Sequence, residues 1–329
     1  MKRALTIFSL AVAVAAGWSA SSPPANAGRP VDARSYWTSE RIADAKPRDI
    51  VVDHKPEFAQ PQARPDGAGG GNGGGGNGGG ETGSTTGSSW GGNEFVRRTT
   101  GKVFFTLGST NYVCSGSTVD DANADVSLVL TAGHCVEGGA DGAFASKFVY
   151  IPDFERWATK SCTTDPGRCF AASRLVTTSA WAEDGDLNYD VAFAVINGNT
   201  LESTWASQAI GFNLDRNQST YAFGYPAAGK YKGTKLIYCA GTTRPDPYGS
   251  FDQGLGCGMT GGSSGGAWYV DFDPTTARGM ANSVNSFKYY IDNSTMYGPY
   301  FGNYAQATYE AARVGGTENT AVSAPALVP

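Results

Sequence analysis

Histidine is scarce in this chain: 329 residues contain two, His54 and His134. Charge is sparse as well. Charged residues make up 17 %, and 25 Lys and Arg stand against 30 Asp and Glu. Without a basic excess there is no electrostatic footprint for nucleic acid or an anionic membrane surface, so neither is expected as a partner. Long apolar runs are missing after the N-terminus, and a spanning helix needs about 20 such residues. The apolar run over 4–16 is too short to span. It follows Lys2 and Arg3 and precedes the small-x-small triplet Ala25-Asn26-Ala27. Residues 1–27 are therefore read as an export signal, and the protein as secreted and extracellular. No two cysteines have CxxC spacing, which argues against a zinc or thiol-redox pair.

Six cysteines are present: Cys114, Cys135, Cys162, Cys169, Cys239 and Cys257. Their number is even and all follow the export signal. Disulfides are expected in an oxidising compartment, with connectivity left open by the count alone.

Composition divides the rest. Residues 28–66 are polar and carry Pro47, Pro56, Pro61 and Pro65. They are read as a leader, with propeptide preferred over a wall tether or spacer. Residues 67–92 are almost all Gly, Asn, Ser and Thr. Such a stretch gains too little contact energy to offset its chain entropy and reads as a linker. From 93 the character changes. Strand-length runs at 102–107, 126–131, 148–151, 191–196, 220–224 and 267–272 are rich in Val, Phe, Tyr and Ile and alternate with turn residues. They predict an all-β domain over 93–315. One helical period, 304–314, predicts a C-terminal helix. Residues 316–329 are small and polar and are read as a disordered tail.

Three segments carry chemistry. His134 is the one imidazole of the predicted domain and follows a strand, in Leu130-Thr131-Ala132-Gly133-His134-Cys135. A serine nucleophile needs such a base titrating near neutrality. Ser264 lies in Thr260-Gly261-Gly262-Ser263-Ser264-Gly265-Gly266, where glycines permit a sharp bend and a close substrate approach. Asp190 enters the apolar run Val191-Ala192-Phe193-Ala194-Val195. Asp184 and Asp186 are its rivals, and a calcium loop built from all three is the competing reading.

Thr-Ala-Gly-His-Cys at 131–135 resembles the histidine loop of trypsin-like serine peptidases, and Cys114-Ser115-Gly116-Ser117 resembles the strand before it. The glycine-flanked Ser264 resembles the nucleophile loop, and Asp190 the third triad member. The order His134, Asp190, Ser264 is that of this family and not of subtilisins or α/β-hydrolases. The resemblance spans about 95–310. It is strongest to secreted bacterial members related to glutamyl endopeptidases, on the run Met259–Gly266 and on Tyr36-Trp37 in the leader.

The resemblance implies two six-stranded antiparallel β-barrels with a C-terminal helix. It implies a monomeric serine endopeptidase, made as a zymogen, that acts on protein or peptide substrates without metal or organic cofactor. Ser264 would be nucleophile, His134 base and Asp190 the orienting carboxylate. Gly262 and Ser264 N–H groups would form the oxyanion hole, and Ser286, Phe287 and Lys288 the substrate-binding edge. Cys114 would pair with Cys135. Cys162 and Cys169 are close in sequence and are paired next, which leaves Cys239 with Cys257.

The chain departs from the family in places. Animal digestive members have Asp directly before the nucleophile, to pair with a new N-terminal ammonium, and here Ser263 stands there. Activation by that ion pair is not expected, and any propeptide should act by blocking the cleft or by assisting folding. No acid lies in 254–261, which argues against a basic P1 preference. The strand 280–288 lacks the His that glutamyl endopeptidases use. The alternatives are a catalytically silent homologue acting as a binding or surface protein, an esterase with the same triad, or an adhesin.

Overall fold

Alternating β-branched and aromatic runs become strands because their side chains fill a pleated, half-buried surface. The computed structural model describes residues 32–53 and 84–323 except 124, 141 and 315. The export signal and the linker up to residue 83 lie outside the described residues.

The first half builds one sheet. Thr100–Leu107 pairs antiparallel with Thr110–Val119 on one side and Ser146–Pro152 on the other. Thr110–Val119 then pairs with Val126–Thr131, which pairs with Ala192–Asn197, which pairs with Arg174–Thr178. The second half forms two smaller sheets. One holds Ser219–Gly224, Ile237–Thr242, Ala267–Asp273 and Arg278–Val284; the other holds Gln253–Gly256, Phe287–Tyr289 and Asp292–Gly298. The chain is mostly β, as expected, although the strands exceed two sets of six. Short parallel edges are added from flanking segments: Lys46–Pro47, Ile50–Val52, Ala209–Ile210 and Thr320–Val322.

Two segments read as linker and tail pair into the sheets, and the leader, where one helical turn is expected around Tyr36-Trp37, is ordered more extensively. Thr85–Ser89, inside the segment read as linker, pairs with Ile237–Thr242. It has almost no apolar side chain, so its backbone alone serves an open sheet edge, and composition could not reveal that. Trp90 follows it and is buried among Phe223, Tyr238 and Phe272. Residues 85–90 therefore pack with the domain read as starting at 93. Thr320–Val322, in the segment read as tail, joins the edge of Arg174–Thr178. In the leader, Ala33–Tyr36 and Ser39–Asp44 are short helices capped by Asp32 and Thr38.

The C-terminal helix Asn303–Arg313 buries Ala305, Thr308, Tyr309 and Ala312. These recur at helical spacing on one face, and Tyr309 meets Phe193 of the first sheet with ring centroids 5.7 Å apart. Disulfides join Cys114 to Cys135, Cys162 to Cys169 and Cys239 to Cys257.

Candidate active site

Strand register brings the base and the carboxylate together. Val126–Thr131 and Ala192–Asn197 run antiparallel with Thr131 opposite Ala192. His134 lies just past the end of one strand and Asp190 just before the start of the other. A single tight turn, Gly133–Cys135, aims the imidazole, and the Cys114–Cys135 disulfide holds that turn to the neighbouring strand. His134 Nδ1 lies 2.8 Å from Asp190 Oδ2, and His134 backbone N–H donates to Asp190 Oδ1 at 2.7 Å. Ser286 Oγ also donates to Asp190 Oδ2.

Asp190 is fully buried. Burial by itself would raise its pKa. The adjacent His134 and the hydrogen bonds from His134 and Ser286 outweigh burial and hold the carboxyl below its ordinary value. The rivals are placed elsewhere. Asp186 Oδ1 accepts from Asn188 N and Nδ2, and Asp184 ends the helix Ser179–Asp184. Among the described residues, three carboxylates do not converge as cation ligands. The one three-residue set with metal-ligand spacing among the described residues is Cys114, His134 and Cys135, whose two sulfurs are bonded to each other.

The nucleophile loop is pressed onto the first sheet. Ser115 N–H donates to Ser264 O at 2.7 Å, and Ser115 Oγ donates to Gly262 O at 2.9 Å. Gly265 has φ +79°, and a Cβ there would lie 2.1 Å from Thr131 Oγ1. Gly262 has φ +92°, a conformation that side chains disfavour. Ser263 makes its own anchor, with N–H and Oγ both donating to Thr260 O, while Asn285 Nδ2 donates to Ser263 O. The loop keeps its shape through neutral hydrogen bonds where an ion pair would otherwise serve.

His134 Nε2 is buried and makes no hydrogen bond, so the bond to Ser264 Oγ is unmade in this structure. Such contacts often tighten only when substrate arrives.

A pocket of about 500 Å³ opens beside Ser264. Gly258, Met259 and Thr260 form one wall, Phe287 and Lys288 another, and Met296 lies with them. Lys230 and Lys288 are its cations, and its one carboxylate, Asp49, comes from the leader. Lys288 Nζ donates to Cys257 O and Asn293 O, each at 2.7 Å, and burial lowers its pKa to about 8.

Several site residues escaped the sequence reading. Ser286 was expected to act through its backbone, and its hydroxyl reaches the buried carboxylate. Asn285 braces both Ser263 and Trp268. Arg48 Nε donates to His134 O at 2.7 Å, and its carbonyl oxygen accepts from Gly262 N–H at 3.4 Å. The β-branched run Ile50-Val51-Val52 after Pro47 was the available sign that the leader adds a strand.

No family model and no curated protein matches the chain. Solved structures do. A thermostable serine protease, AL20, from an extremophilic microorganism is 39 % identical, with a TM-score of 0.61 over 68 % of this chain and 100 % of that one. Protease Anisep from Arthrobacter nicotinovorans is 41 % identical, with a TM-score of 0.61 over 70 % of this chain and 100 % of that one. A Glu endopeptidase solved with MPD shares the fold, at 17 % identity and a TM-score of 0.53 over 71 % and 99 % of the two chains.

Proposed function

The chain belongs to the chymotrypsin-fold serine proteases, and from that premise we propose a secreted endopeptidase that cuts peptide bonds through an acyl-enzyme on Ser264. The observation that carries this reading is the buried His134–Asp190 pair, 2.8 Å between Nδ1 and Oδ2, beside a glycine-bent serine loop. Asp190 fixes the tautomer with the proton on Nδ1, which leaves Nε2 as the base. Nε2 takes the Ser264 proton as Oγ attacks the scissile carbonyl. Gly262 and Ser264 N–H groups stabilise the oxyanion. His134 then protonates the leaving amine, and water releases the acyl group by the same route.

Three disulfides support an oxidising destination, and the leader is proposed as a propeptide. The lysine-lined pocket supports acidic or neutral P1 side chains over basic ones. The test is hydrolysis of a mixed peptide library, read by mass spectrometry, with wild type and Ser264→Ala freed of leader. The variant should lose about 10⁶-fold in rate. A folded, leader-free wild type that cuts nothing would instead favour a silent homologue.

A further inference from the structure

The leader lies in the cleft. Lys46 and Pro47 pair in parallel with Tyr112 and Val113, next to the Cys114–Cys135 disulfide. Arg48 N–H donates to Val113 O at 3.0 Å, while Arg48 O accepts from Gly262 N–H. Ile50, Val51 and Val52 pair in parallel with Phe287, Lys288 and Tyr289, and Tyr290 N–H donates to Val52 O at 2.9 Å. Ile50 and Val52 pack on the cluster of Phe287, Tyr289 and Tyr297. With this strand in place His134 is 0 % exposed and Ser264 4 %. Further back, Trp37 is fully buried against Phe104, and its Nε1 donates to Lys147 O at 2.6 Å. That anchor keeps the strand at high effective concentration over the cleft.

Direction decides what the strand does. A substrate must place its leaving nitrogen on the His134 side, because Nε2 protonates it. Cys135 follows His134 and is bonded to Cys114 beside Val113, so the leaving side runs along Tyr112 and Val113. The acyl side runs along Phe287 to Tyr289. In a substrate, acyl residues precede leaving residues in the chain. In the leader, residues 46 and 47 lie on the leaving side and 50–52 on the acyl side. The leader therefore runs backwards through the cleft.

We propose that residues 46–52 are a built-in inhibitor that fills the oxyanion hole and the substrate edge in reversed polarity and so escapes cleavage. The proposal rests on the serine-protease reading above. Attack of Ser264 Oγ on the Arg48 carbonyl would form a C–O bond and move the carbonyl π electrons to oxygen. The bond then due to break, Arg48 C to Asp49 N, has its nitrogen on the acyl side, away from Nε2. No proton reaches that nitrogen. The proton on His134 returns to Oγ, and the adduct reverts without net reaction.

The test uses the full chain, intact by mass, and a fluorophosphonate that labels an active serine. Ile50→Asp/Val52→Asp strips the strand of its apolar seat without touching the triad. This variant should label at Ser264 at least about 10-fold faster than wild type. A synthetic peptide of residues 45–53, added in trans to the variant, should restore slow labelling and remain uncut after overnight incubation. Equal labelling of wild type and variant overturns the inhibition while leaving the protease reading standing. Cleavage of the peptide at Arg48–Asp49 overturns the reversed polarity. If neither chain labels while both keep native circular dichroism, the serine-protease reading fails first and the proposal with it.

Discussion

Lys288 shows how one side chain can set selectivity. Its ammonium is tied to two backbone carbonyls, an arrangement that holds a cation in place without neutralising it. Burial costs the charge enough to lower its pKa to about 8, so an incoming carboxylate would relieve part of that cost. A Lys or Arg substrate side chain would add a second cation to the same wall. Lys288→Ala is expected to lower kcat/KM for peptides with P1 Glu by about 10-fold or more, equivalent to about 1.4 kcal/mol. Peptides with P1 Ala or Leu should change little. Equal effects on all three would show that Lys288 merely supports the pocket wall. The sequence alone leaves Lys288 open as an exposed surface lysine or a substrate contact. The choice depends on where the carbonyls of Cys257 and Asn293 lie, and residue identity carries no such information.

At the scale of elements, the nucleophile loop is legible in part. Its glycines and its serine announce a sharp bend, and the following Ala267–Asp273 forms a strand much as its β-branched and aromatic content predicts. The neutral anchoring of Ser263 was not legible, because its partner Thr260 O and the brace from Asn285 arise from folding. Short strands were read well where the apolar run was dense, as at Val126–Thr131. They were missed at Thr85–Ser89 and Thr320–Val322, where a polar backbone completes an edge that another segment leaves open. The neutral anchor has a consequence. Ser263 is 1 % exposed, and among the described residues no cation is bonded to it. Ser263→Asp, the residue of animal digestive relatives, would bury an unpaired carboxylate. The loss should be about 3–5 kcal/mol, read as a lowered urea midpoint on a Ser264→Ala background. An unchanged midpoint would mean that a cation reaches the site from elsewhere.

For the whole molecule, the sheets of the two halves meet through polar ties as well as apolar packing, and one cation is caught among them. Lys102 sits on the strand Thr100–Leu107, 6 % exposed, with Nζ donating to Gly233 O at 3.2 Å and lying 4.5 Å from the Phe154 ring centroid. Burial, aided by the nearby Lys160, lowers its pKa from 10.5 to about 7. The sign follows from proton counting. Between about pH 7 and 10.5 the unfolded chain binds more protons at this residue than the folded one, so folding stability rises with pH across that window. Below about pH 7 both states are protonated and the folded state bears the full cost of a buried charge. Lys102→Met keeps the apolar stem and removes that charge. On a Ser264→Ala background it should raise Tm by roughly 4–8 °C at pH 6, about 2 kcal/mol, with the gain shrinking toward zero by pH 10. Calorimetry at pH 6, 8 and 10 reads this directly. A gain independent of pH would assign the effect to packing around Phe104 and Phe154, and a loss at pH 6 would mean that Gly233 O and the two rings already stabilise the ammonium in full.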